Sequence, residues 1–114
     1  MTTRLAKGNC FPVAWRYVVD GEGLTLCHGL VTQPETGQRH CHAWAEAESG
    51  GFHWKMTVAI DKANGNDSEL PTDVYYAFGE IDTDEVARYT TEEASILLCK
   101  HKNYGPWEER LLSP

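Results

Sequence analysis

Residues 40–47 alternate strictly between two kinds of side chain. Cys41, Ala43, Ala45 and Ala47 are all small, whereas His40, His42, Trp44 and Glu46 are all polar or aromatic. A period of two places successive side chains on opposite faces of a β-strand, so this segment reads as a strand with two unlike faces. Glu48-Ser49-Gly50-Gly51 follows as a hairpin signal, and Gly-Gly suits a two-residue loop. Phe52 to Asp61 then alternates again, with Phe52, Trp54, Met56, Val58 and Ile60 on one face. His53, Lys55, Thr57, Ala59 and Asp61 take the other. An antiparallel sheet is therefore the frame into which the rest of the chain must fit.

The flanking segments supply helices. Pro12 fits the first turn of a helix, where its missing N–H is not needed. Val13, Ala14, Tyr17 and Val18 form the helical stripe, with Trp15 and Val19 widening it, and Asp20-Gly21-Glu22-Gly23 ends it. Leu24–Thr32 reads as a first strand and Gln33–Arg39 as a loop. Lys62–Leu70, polar and rich in Asn and Gly, reads as another loop. Pro71 opens a second helix through Tyr75, Tyr76 and Phe78, with Gly79 as its stop. Val86–Tyr89 reads as a short strand. Thr90 and Glu93 form a capping box before a helix running to about His101. Gly105-Pro106 breaks the chain, and the tail is expected to be peripheral. The fold class is α+β: an N-terminal helix packed on a small antiparallel sheet, with two further helices. At 114 residues, the chain 1–114 is expected to be a single domain with one core.

Chemistry concentrates around one cysteine. Cys10 lies in Gly8-Asn9-Cys10-Phe11-Pro12, where a loop turns into a helix. Backbone N–H groups and the helix dipole stabilise a thiolate there, and a neighbouring imidazolium would add to that. His42 on its strand and Asp61 at the end of the next give Cys, His and Asp in chain order. A thiol, an imidazole and an orienting carboxylate form an acyl-transfer site. The N–H of Cys10 is an oxyanion donor, and Asn9 is the nearest side chain for a second. A Gly50-Gly51 turn would pair Ser49 with Phe52 and set His42 opposite Ala59. Asp61 is then its diagonal neighbour, roughly 7–8 Å away between Cα atoms. A four-residue loop would slip that pairing and carry Asp61 further off, leaving Asn64 and Asn66 as fallback orienters.

Cys10 on a helix start, His42-Ala43-Trp44-Ala45-Glu46, Trp54 and Ile60-Asp61 together resemble the papain-like fold. The pattern is most similar to the transglutaminase-like branch, whose histidine strand often reads His-x-Trp-x-Glu and whose next strand ends in Asp. The likeness covers about residues 8–62. It implies Cys10 as nucleophile, His42 as base and Asp61 as orienter. Tyr75-Tyr76-Ala77-Phe78-Gly79 through Tyr104-Gly105-Pro106-Trp107 also resembles small bacterial and phage proteins, a likeness that names no activity.

The expected function is thiol-dependent acyl transfer on an amide: peptide hydrolysis, deamidation or transamidation. Asn9 and Trp44 are the oxyanion and substrate-binding candidates. No cofactor or metal is expected. His40, Cys41 and His42 are adjacent, but only the two histidines share a face, and adding Cys27-His28 gives no zinc-type spacing. A structural reading competes at each position: Cys10 as a buried core thiol, His42 as a hydrogen-bonded core histidine, Asp61 as a loop cap. Cys27, Cys41 and Cys99 are read as core residues. The net charge of −7 argues against nucleic acid and anionic membrane as partners and leaves a protein or peptide substrate. The N-terminus lacks the apolar core of a secretory signal and no stretch is long enough to span a membrane, so a cytoplasmic location with reduced thiols is expected. The alternative function is a small acidic, non-catalytic binding protein, such as a phage-encoded inhibitor of a host protein, whose acidic run Asp82-Thr83-Asp84-Glu85 would meet a basic partner.

Overall fold

The computed structural model describes residues 9–33, 35–50, 55–63 and 67–112. The chain runs α1 (Cys10–Asp20), β1 (Leu24–Thr32), β2 (Arg39–Gly50), β3 (Lys55–Asp61), β4 (Ser68–Pro71), α2 (Thr72–Gly79), β5 (Ala87–Tyr89) and α3 (Thr91–His101). Short 3-10 turns occupy Thr83–Glu85 and Glu109–Leu111. The strands form one sheet in the order β4-β3-β2-β1-β5, every pair antiparallel. This is the expected α+β architecture, with α1 packed on the sheet.

The alternation in β2 sorts the interior into two layers. Ala43 and Ala45 face α1, where they pack with Ala14, Val18, Leu26 and Ile60. Short side chains on that face leave room for a helix to lie close to the strand. The opposite face carries Trp44, which packs with Cys27, Ala59, Ile81 and Val86 and is flanked by Tyr75 and Tyr76 of α2. Trp44 is 0% exposed. Its indole occupies space that a side chain on β1 would fill: a Cβ at Gly29 would stand 2.8 Å from Trp44 Cη2. A glycine opposite His42 in the β1–β2 register is therefore a packing requirement of the tryptophan.

α3 begins where its capping box places it. The Glu93 N–H donates to Thr90 Oγ1 at 3.1 Å, and the Thr90 N–H donates to Glu93 Oε1 at 2.9 Å. α3 is tied to α1 by the Trp15 indole N–H, which donates to the Ala94 carbonyl at 3.0 Å.

Four expectations need correction. First, Gly50 pairs with Lys55 and Glu46 with Ala59, so the β2–β3 turn is longer than Gly50-Gly51, and Ser49 faces Met56 instead of Phe52. Residues 51–54, including Trp54, lie outside the described residues. Second, the polar segment after Asp61 is not all loop, because Ser68–Pro71 pairs with β3 as an edge strand. Third, the tail is not peripheral. Leu111 is 1% exposed in the α1-side core and Trp107 packs against it. Its anchor is His28 on β1, whose ring lies 5.1 Å from Trp107, 4.9 Å from Phe11 and 5.3 Å from Tyr89. The backbone of Gly105 presses on that ring at φ +108°, where a Cβ would come within 2.5 Å of His28 Cε1. Fourth, Cys99 is exposed on α3, not buried in the core.

His28 is fully buried, and neither ring nitrogen has a hydrogen-bond partner. Burial pushes its pKa from 6.5 down to about 3. The unfolded chain therefore takes up a proton below about pH 6.5 that the folded chain refuses until about pH 3, and stability falls across that window. At pH 4.5 the loss attributable to this side chain is about 2–3 kcal/mol. Urea unfolding at pH 7 and pH 4.5 checks this: a His28→Leu variant is expected to lose distinctly less stability on acidification than the parent. Equal losses in both proteins would show that His28 is not the group responsible.

Candidate active site

Cys10 is the first residue of α1, after Asn9 as N-cap. The first amide bonded within the helix is that of Val13, which donates to the Asn9 carbonyl at 3.0 Å. The N–H groups of Cys10 and Phe11 thus lie in the turn whose amides have no intrahelical acceptor. Asn9 makes no side-chain capping hydrogen bond.

The sheet meets this helix start at a step. β2 is 12 residues long and β3 only 7. Their register ends with Ala45 opposite Ile60, one residue before β3 itself ends at Asp61. Among the described residues the stretch of β2 before Ala45 pairs with β1 alone. Cys10 has electrostatic neighbours on both faces of β2: Cys41 on the small-residue face, and His42 and Tyr75 on the other.

His42 and Asp61 meet directly. His42 Nε2 lies 2.8 Å from Asp61 Oδ2. Cys10 is a second electrostatic neighbour of the same imidazole. Burial alone would lower the pKa of His42. The hydrogen bonds and negative charge of Asp61 and Cys10 outweigh it and raise the value from 6.5 to about 9. Asp61 shows the complementary balance: burial pushes its carboxyl up, but hydrogen bonds from His42, Tyr75 and Ala63 hold it below the usual carboxylate range.

Two features of this arrangement were not read from the sequence. The Tyr75 hydroxyl donates to Asp61 Oδ2 at 2.8 Å, and the Ala63 N–H donates to Oδ1 at 3.1 Å. Tyr75 comes from α2 across the sheet face, and its side chain belongs to a helix whose pattern reads only as packing. Behind the imidazole, Trp44 stacks on His42 at 6.4 Å between centroids and 20° between planes. Its N–H donates to Glu46 Oε2 at 3.0 Å, and Glu46 also accepts from the Tyr76 hydroxyl and faces Arg88 Nε at 3.7 Å. Trp44, expected against substrate, is instead buried with its donor occupied, where it braces the ring from behind. Residues two apart on a strand share a face, so His42, Trp44 and Glu46 stand in one row.

His40 lies beside His42 at 6.1 Å between ring centroids. Asn64 and Asn66 lie outside the described residues. Among the described residues no group of three or more His, Cys, Asp or Glu side chains is arranged to hold a metal ion. The other thiols are in different settings. Burial, reinforced by Cys10, pushes Cys41 up to about 12, and burial together with Glu46 raises Cys27 further.

The raised His42 value carries a stability consequence. A group bound more tightly to its proton when folded stabilises the fold fully below its unfolded pKa of about 6.5, and that contribution disappears as pH rises towards about 9. An NMR titration of the His42 ring is expected to show a midpoint near 9, and Asp61→Asn should lower it by about one unit or more. Tyr75→Phe leaves Oδ2 to the imidazole alone, so His42 should stay protonated to at least as high a pH. An unchanged midpoint in Asp61→Asn would mean that the carboxylate does not hold the ring.

No family model, no curated protein and no solved structure matches this chain.

Proposed function

We propose that the protein carries out thiol-dependent acyl transfer on an amide. Cys10 acts as nucleophile, His42 as proton carrier and Asp61 as the group that orients the ring. The observation that carries this reading is the imidazole engaged by Asp61 at 2.8 Å through Nε2, with Cys10 at the start of α1 as a further electrostatic neighbour of the same ring. A core histidine needs one such partner. A ring held by a carboxylate and neighboured by a thiol at a helix start has the arrangement that activates a sulfur nucleophile.

In this mechanism His42 takes the Cys10 proton as Sγ attacks the amide carbonyl carbon. The C–S bond forms as the carbonyl π electrons move to oxygen. The Cys10 N–H donates to that oxygen, with the Asn9 side chain as the second donor. Collapse breaks the C–N bond, and the imidazolium gives its proton to the departing amine. The thioester that remains is released by water or by an acceptor amine, with His42 taking up the acceptor's proton. Asp61 stays ionised throughout and holds the ring in one orientation through Oδ2. The substrate is a protein or peptide amide. The described residues contain no helix long and apolar enough to cross a membrane. All four cysteines are free, which fits a reducing, cytoplasmic compartment. The papain-like, transglutaminase-like assignment is a proposal on the same footing, supported by the order helix-start cysteine, strand histidine, strand-end aspartate.

Iodoacetamide labelling with peptide mapping tests the reading, and the exposed Cys99 serves as internal comparison. At pH 7 Cys10 should label about tenfold faster than Cys99, since a thiolate and not a thiol is the reacting species. His42→Ala should remove most of that advantage and His40→Ala much less. Labelling of Cys10 no faster than Cys99 in the folded protein would overturn the proposal.

A further inference from the structure

A cleft of about 440 Å³ has His42 and Asp61, though not Cys10, among its lining residues. That volume lies at the small end of the roughly 300–1,000 Å³ usual for ligand sites. A larger groove along α1, about 670 Å³, shares no residue with the site. The far wall of the smaller cleft is apolar: Val31 from β1, Tyr75 and Phe78 from α2, and Ile81 just after it. Phe78 is 72% exposed, a large aromatic side chain left in water in the cleft that His42 and Asp61 also line. Gly79 keeps the floor low, since a Cβ there would come within 3.2 Å of Ile81 Cδ1. The charged side chains lining the cleft are Glu35 and the paired Asp61 and His42. The nearby cation Arg39 is engaged by Thr32 Oγ1 and the Glu80 carbonyl, both at 3.0 Å, and faces Glu85 at 3.7 Å.

We propose that this cleft receives an uncharged, apolar side chain of the amide substrate and discriminates against anionic ones. The inference rests on the thiol reading, because the cleft matters only if chemistry occurs at its edge. The apolar wall gains from covering Phe78 and Ile81, whereas an anion placed there would face Glu35 and would compete with Asp61 for the His42 ring. The substrate class is thus an amide with an aliphatic or aromatic residue next to the scissile bond, neutral or cationic beyond it.

Three alkylating reagents separate this inference from the reading beneath it: iodoacetamide, N-benzyl-iodoacetamide and iodoacetate. Each rate at Cys10 is divided by the rate of the same reagent with glutathione, which cancels intrinsic reactivity. The benzyl reagent is expected to exceed iodoacetamide by about tenfold at Cys10, and by little at the exposed Cys99. Phe78→Ala should bring the benzyl-to-iodoacetamide ratio back towards one. That side chain is mostly in water, so its removal costs little packing. Glu35→Gln should raise the relative rate of iodoacetate severalfold. A wild-type ratio near one, or a ratio that survives Phe78→Ala, overturns the cleft assignment and leaves the thiol reading standing. A Cys10 that reacts with none of the three reagents overturns both.

Discussion

The site depends on a mismatch in length between two neighbouring strands. β2 continues past the end of β3, and the last residue of β3 is the aspartate that meets His42. Because the shorter strand ends there, Asp61 stands at the limit of the β2–β3 pairing, diagonal to His42. The carboxylate that terminates the strand also holds its neighbour's imidazole. The turn after it is held in the same way, since the Ala63 N–H donates to the other oxygen of Asp61.

Much of this was legible because strand parity survives errors in register. The two-glycine turn sets Asp61 level with His40, whereas the observed pairing, extended by one residue beyond Ala45–Ile60, sets it level with Trp44. Both positions are two residues from His42 on the same face, so the contact forms from the opposite diagonal. An even shift moves a side chain along a face without turning it over. The limits of β1, the capping box of α3 and the end of α1 near Asp20 were legible for a similar reason: each rests on local periodicity or local hydrogen bonding.

Interactions between distant segments were not legible. Tyr75 reads as one of several apolar positions on α2, and nothing local says that its hydroxyl crosses to Asp61. Ser68–Pro71 lacks a strand pattern because an edge strand is held by backbone pairing to β3. The tail reads as peripheral since Gly105-Pro106 breaks the pattern, yet that break lets Trp107 reach His28. Cys99 follows the general tendency of cysteine to be buried, but it lies on the outer side of a helix whose buried position is Ala94.

Asp61 Oδ2 serves two donors, the His42 ring and the Tyr75 hydroxyl. Tyr75 stands on the same short helix as Phe78, which walls the cleft. The width of the opening and the aim of the base are thus geared to a single rigid body. A guest that pushes α2 outwards draws the phenol away from the carboxylate and leaves that oxygen to the imidazole alone. Occupancy of the cleft and the basicity of the ring are coupled variables, joined through one shared lone-pair site instead of through any movement of the sheet.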